Sequence, residues 1–188
     1  MTQEERQQII NLVKQEVIPA IGCTEPIAVA LCVAKATEVL GCRPEKISVF
    51  LSANILKNAM GVGIPGTGMI GLPIAVALGA LIGKSSYQLE VLKDSTPQAV
   101  EEGKAYLNEK RISIALKDDC TEKLYVEVVC EAGSSHSCAI ISGEHTRFVF
   151  VSKDADVLLK EDVVADASAQ EKTLNLTLHK VYDFALTA

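Results

Sequence analysis

The sequence predicts an α+β fold, with helices packed on one face of a mostly antiparallel sheet. Three observations carry that reading. Apolar residues recur at helical spacing through about residue 109, the period then changes to two, and turn-forming clusters separate the alternating runs.

Thr2 and Glu5 form a capping box, and Ile9, Leu12, Val13 and Val17 follow at helical spacing, so a first helix runs over about 3–17 and stops near Pro19. Residues 25–40 are apolar on nearly every face, with Lys35 and Glu38 the only charges after the first residue, and Gly41 ends them. This is the expected central buried helix. A short β-rich run covers 47–52, and a helical turn over 54–60 follows it directly. Residues 73–82 form an Ala- and Gly-rich helix suited to close packing, and Thr96 with Pro97 opens another that reaches about Glu109. Beyond it Ile112/Ile114/Leu116, Leu124/Val126/Val128/Cys130, Cys138/Ile140 and Phe148/Phe150 alternate. Turns at 117–119, 131–133 and 142–144 join these runs into an expected antiparallel meander. The segment 157–170 shows no clear period, and Leu174, Leu178, Val181 and Ala185 restore helical spacing. On this reading residues 1–170 are one α+β domain, and 171–188 begin a helix that leads into a further C-terminal domain.

At 188 residues and 48% hydrophobic content the chain can bury a sizeable core. A net charge of -6 and a pI near 5.1 argue against nucleic-acid and anionic-membrane partners, which select for clustered Lys and Arg. No Trp and only four Phe and four Tyr make base-stacking platforms a poor fit as well. The polar, acidic start of the chain is the opposite of a signal peptide, so a cytoplasmic location is expected. The apolar stretch 69–82 is too short to span a bilayer and is broken by Gly71, Pro73 and Gly79. In a reducing compartment the six cysteines should be free thiols. None forms a C-x-x-C pair, so no metal site is assigned within the chain.

The chemistry concentrates near Gly22-Cys23-Thr24-Glu25-Pro26, where a thiol stands just before a helix N-terminus. Thr24 suits a cap, Glu25 suits the positive end of the helix dipole, and Pro26 suits a first turn. The dipole is expected to lower the Cys23 pKa, making Cys23 a candidate base, nucleophile or metal ligand, with a buried structural cysteine as the alternative. Asn54, Lys57 and Asn58 share one face of the short helix that follows. They form either a donor set matched to an amino-acid carboxylate or an ordinary solvated face. Gly61-x-Gly63-x-x-Gly66 repeats the letters of a dinucleotide fingerprint, but it follows a helical turn and carries Pro65. Its glycines, with Gly66-Thr67-Gly68 at the centre, imply a backbone that closely approaches either a ligand or another segment. His145, beside Thr146 in the last turn of the meander, is a candidate for proton transfer or substrate contact. His136, in the serine-rich run 134–137, reads as a polar turn without an acidic partner, and His179 has no role.

Together Gly22–Pro26, the glycine-rich run from Asn54 to Pro73, Leu89-Glu-Val-Leu-Lys93-Asp94 and Gly143-Glu-His145-Thr146 resemble, in order, landmarks of the L-cysteine desulfidase family, relatives of the iron–sulfur L-serine dehydratases. The resemblance covers the N-terminal portion of such proteins. It implies a β-eliminating lyase of amino-acid catabolism that converts L-cysteine to pyruvate, ammonia and hydrogen sulfide. A [4Fe–4S] cluster would act there as Lewis acid, with ligands mostly outside this chain. Cys23 and His145 would be its catalytic residues, and Asn54, Lys57, Asn58, Gly66, Thr67, Gly68 and Thr146 would hold the substrate. The partners expected are a small amino acid and a C-terminal domain or second subunit carrying the cluster, with further copies of this chain an open possibility. Three alternatives stand beside this reading: L-serine as substrate, a pyridoxal phosphate mechanism with Lys57 as Schiff base, and a substrate-binding domain that is inactive by itself.

Overall fold

A computed structural model describes residues 1–161 and 176–187. They fall into two compact units, one built mainly from residues 20–162 and the other from the two ends of the chain. The expected domain boundary at 170/171 and the helical position Leu174 lie outside the described residues.

The larger unit begins with α2 (Thr24–Leu40), in which Ile27 through Ala34 have no exposed surface. β1 (Lys46–Leu51) and α3 (Ala53–Ala59) follow, then a two-residue-per-strand hairpin, β2 (Gly63–Ile64) and β3 (Met69–Ile70), in the glycine run. α4 (Leu72–Ile82), a 3₁₀ turn (Ser85–Glu90) and α5 (Pro97–Asn108), capped by the Thr96 side chain, complete the helical half. Close packing of this layer depends on Gly79, where a Cβ would lie 2.6 Å from the Ala30 carbonyl oxygen of α2. Gly103 of α5 similarly sits against Ile74 and Leu78 of α4.

The sheet is α+β in character but mixed in direction. Its order is β4 (Ile112–Leu116), β1, β5 (Tyr125–Ala132), β6 (Ser135–Ser142), β7 (Phe148–Lys153) and β8 (Asp156–Lys160). The expected meander is corrected at its first strand. β4 pairs parallel with β1, Ile47 opposite Ile112, and does not touch β5, because β1 lies between them. Periodicity marks a strand but not its neighbour, and the long 117–124 connection leaves room for the intervening strand. β5 through β8 do form an antiparallel meander.

α2 crosses the sheet in a fixed direction. The Cys32 thiol lies against the Val126 and Ala139 carbonyls, Ser137 Oγ donates to Ala36 O at 2.7 Å, and Lys153 Nζ donates to Leu40 O at 3.0 Å. The N-terminus of α2 therefore lies at the sheet end where β1 stops and β5 begins. On the opposite face Lys117 and Tyr125 converge on Glu127, each at 2.6 Å, with Phe50, Ile140 and Phe150 half-buried on the same side.

The smaller unit pairs α1 (Gln3–Glu16), whose Thr2/Glu5 capping box is present, with α6 (Leu178–Thr187). Lys180 Nζ meets Glu5 at 2.8 Å, and Arg6 donates to Thr187 while lying over the Phe184 ring. Among the described residues no helix is long and apolar enough to cross a membrane.

Candidate functional site

Cys23, not Thr24, is the N-cap of α2, and its side chain makes no capping bond. The thiol turns instead to Glu25 in the first helical turn, donating to Oε2 at 3.0 Å. Thr24 Oγ1 donates to the same oxygen at 3.3 Å, and Asn58 Nδ2 of α3 donates to Oε1 at 3.3 Å. Glu25 is therefore the hub that joins the N-terminus of α2 to α3.

This arrangement corrects the expected lowering of the Cys23 pKa. The carboxylate accepting its hydrogen bond pushes the thiol above its ordinary value, and partial burial adds to the effect. Glu25 moves the other way. The bond from Cys23, with those from Thr24 and Asn58, holds its carboxyl below the usual range. A carboxylate 3.0 Å from sulfur outweighs a fractional dipole charge at the helix end. The pair at neutral pH is thus a neutral thiol and a carboxylate.

The glycine loop meets the same corner. Gly22, at φ 88, lies so close to Pro65 that a Cβ would stand 2.7 Å from its Cγ. At Gly61, Gly63, Gly66 and Gly68 a Cβ would meet nothing within 4 Å, so these positions border open space and not another segment of backbone. Gly71 is the exception, against the Met60 carbonyl. Thr67 is committed to the loop itself: Oγ1 donates to Ile64 O at 2.7 Å and accepts from Met69 N at 3.0 Å.

Asn54 and Lys57 are exposed on α3, and among the described residues neither side chain has a hydrogen-bond or ionic partner. The joint between β1 and α3 is fixed by Ser52, whose Oγ donates to Lys123 O at 2.9 Å and accepts from Tyr125 N at 3.3 Å. On the other side of the β5 start, Gly143 N donates to Leu124 O at 3.1 Å. The 143–146 turn and α3 thus flank one end of the same strand. No hydrogen bond among the described residues links His145 or Thr146 to Cys23, Glu25 or Asn58.

Two other expectations change. His136 lies in β6, not in a turn, and its Nδ1 is 3.5 Å from Asp154, an acidic partner invisible in the sequence. Alternation along the strand puts Ser137 on the opposite face, buried against Ala36, so no serine–histidine pair forms. Glu25 was legible as a helix-end acid but not as a hub, since its bond from Cys23 depends on side-chain rotamers and its bond from Asn58 on how α3 packs.

The described residues do not fit an iron–sulfur cluster. No group of three or more His, Cys, Asp or Glu is disposed to hold a metal among them. All six cysteines are free. Burial pushes the Cys130 thiol up to about 12 and the Cys138 thiol up to about 11, and raises Cys32 well above its ordinary value, so these three sulfurs sit in the core as neutral thiols.

The chain is 73% identical over 188 residues to a UPF0597 protein of Bacteroides fragilis and 66% identical to one of Bacteroides thetaiotaomicron. A UPF0597 protein of Porphyromonas gingivalis is 44% identical over 187 residues. All of this chain but only 44% of the Bacteroides relatives is covered, so the chain spans less than half the length of the curated relatives it matches. No family model and no solved structure matches it. These findings correct the resemblance drawn from the motifs. Relatives this similar carry the UPF0597 name, which states no activity, and not that of an L-cysteine desulfidase. Over its full length the chain is similar to UPF0597 proteins.

Proposed function

We propose that the corner formed by Cys23, Glu25, Asn54, Lys57 and Asn58 receives a small α-amino acid, and that the chain is the substrate-holding component of a β-eliminating lyase acting on L-cysteine. The observation that carries this reading is the chain of hydrogen bonds Cys23–Glu25–Asn58 beside a glycine loop bordered by open space.

The roles follow from charge. Glu25, kept anionic by its three donors, suits the substrate ammonium, and the exposed Lys57 ammonium with the Asn54 amide suits the carboxylate. Elimination breaks the Cα–H and Cβ–S bonds, leaving 2-aminoacrylate and hydrogen sulfide; tautomerisation and addition of one water then give pyruvate and ammonia. In this reading Glu25 takes the Cα proton, the Cys23 thiol, neutral at pH 7, gives its own to the departing sulfur, and the proton on Glu25 then returns Cys23 to the thiol. The iron–sulfur cluster that the motif resemblance implied would have its ligands outside the described residues, and no proton step passes through it.

Calorimetric titration of the full chain with L-cysteine and L-serine tests the reading. Saturable binding that is lost in Glu25→Gln is expected. Absence of binding for both amino acids overturns it. L-Serine stays as the alternative substrate. A second reading, in which this chain binds substrate without turning it over alone, is favoured by its covering only 44% of its relatives. Sulfide release by the chain alone would sink that second reading.

A further inference from the structure

We propose that the cavity between the edge strand β4 and helices α3 and α5 is a second binding site, for a small monocarboxylate with an apolar body. It encloses about 650 Å³, within the roughly 300–1,000 Å³ of pockets that hold small molecules. Its walls include Leu56 of α3, Met60 at the end of that helix, Leu107 of α5, and Ile112 and Ile114 of β4, and the one charged group lining it is Lys110. None of the five apolar side chains is fully buried, and Met60 is 49% exposed, although the core immediately behind them is closed to solvent. Concave apolar surface left open beside a dry core is a place for a ligand body.

Charge placement sets the other end of that ligand. The adjacent acid, Glu109, is already engaged by Arg43 at 3.0 Å and by Arg111. Among the described residues no carboxylate pairs with Lys110. An apolar wall with one uncompensated cation is complementary to an amphipathic anion. A single negative charge fits best, because there is one cation and the chain as a whole carries -6. The turn itself does not call for a lysine. Lys110 follows the end of α5 at φ 55, a left-handed conformation that glycine adopts without strain.

Octanoate and octanol serve as probes of the full chain in calorimetry. Octanoate should bind saturably at one site, octanol more weakly. Lys110→Gly should weaken octanoate roughly tenfold or more and leave octanol unchanged. That substitution relieves the left-handed strain, so its melting temperature should be no lower than the parent's and lost binding is not unfolding. Met60→Trp, at an exposed position on the wall, should fill the cavity and weaken both probes. Three results overturn the proposal: no saturable octanoate binding, the same octanoate affinity in Lys110→Gly as in the parent, or undiminished binding in Met60→Trp.

Discussion

At the scale of the residue, the Cys23–Glu25 pair decides how the site behaves with pH. Glu25 titrates below its ordinary 4.5 in the folded chain, so its contribution to stability is present above that pH and fades as pH falls through the lowered value. Cys23 titrates above its ordinary 9.0, so its contribution is present below 9.0 and fades as pH rises through the raised value. The pair therefore supports the fold in the window between, and Glu25→Gln should flatten that part of a stability–pH profile measured by chemical denaturation. The same substitution removes the charge that restrains the thiol. Iodoacetamide should then alkylate Cys23 several-fold faster near pH 7.5, read by peptide mass mapping, whereas in the parent the exposed Cys42 should label first. An unchanged Cys23 rate would mean that Glu25 does not control the thiol. Lys57→Met, at an exposed site without partners, should leave the melting temperature alone. On the proposed function it should weaken L-cysteine binding by roughly one to two powers of ten in calorimetry, the worth of one charge-assisted hydrogen bond, and unchanged affinity would remove Lys57 from the site. That Cys23 stands at a helix start and that Asn54 and Asn58 lie on the short helix after β1 was legible from spacing, but the sign of the thiol's shift was not. A helix-end argument counts the backbone, whereas the nearer charge belongs to a side chain whose rotamer the sequence does not display.

Among the elements, the contact between α2 and α4 is the tightest constraint in the helical layer. Gly79→Val would drive a side chain into the Ala30 backbone, 2.6 Å from where its Cβ would stand. The helix-propensity gain over glycine is smaller than this overpacking, so the substitution should destabilise the chain by about 1–3 kcal/mol in urea denaturation. A neutral result would show that the two helices can move apart at no cost. Element positions were largely readable, because an all-round apolar stretch over 25–40, closed by Gly41, and a period of two over 124–130 report burial directly. The hairpin of β2 and β3 was not, since two-residue strands in a glycine run carry no period. Nor was the place of β4, because pairing with β1 across 65 positions depends on tertiary packing.

At the scale of the whole molecule, the change of apolar period along the chain correctly set an α+β core with a sheet sheltering one apolar helix, while the relation to known proteins had to come from comparison. In the smaller unit, Lys180 and the Thr2 backbone hold the Glu5 carboxyl down to about 2. The contact between α1 and α6 should therefore persist well below pH 4.5 and loosen as pH falls toward about 2. Hydrogen exchange of the α6 amides should show that loosening, and an onset above 4.5 would contradict it. The fully sheltered α2 has a further consequence, in the order of synthesis. Its Cys32 rests against strand carbonyls 94 and 107 positions later in the chain. At ribosomal speeds the partners emerge roughly 5 to 20 s after the helix. For that interval the side of α2 that meets β5 and β6 has no strand over it, although α4 has already emerged to pack on the helix, and the fate of that side depends on whatever the cell supplies to shield it.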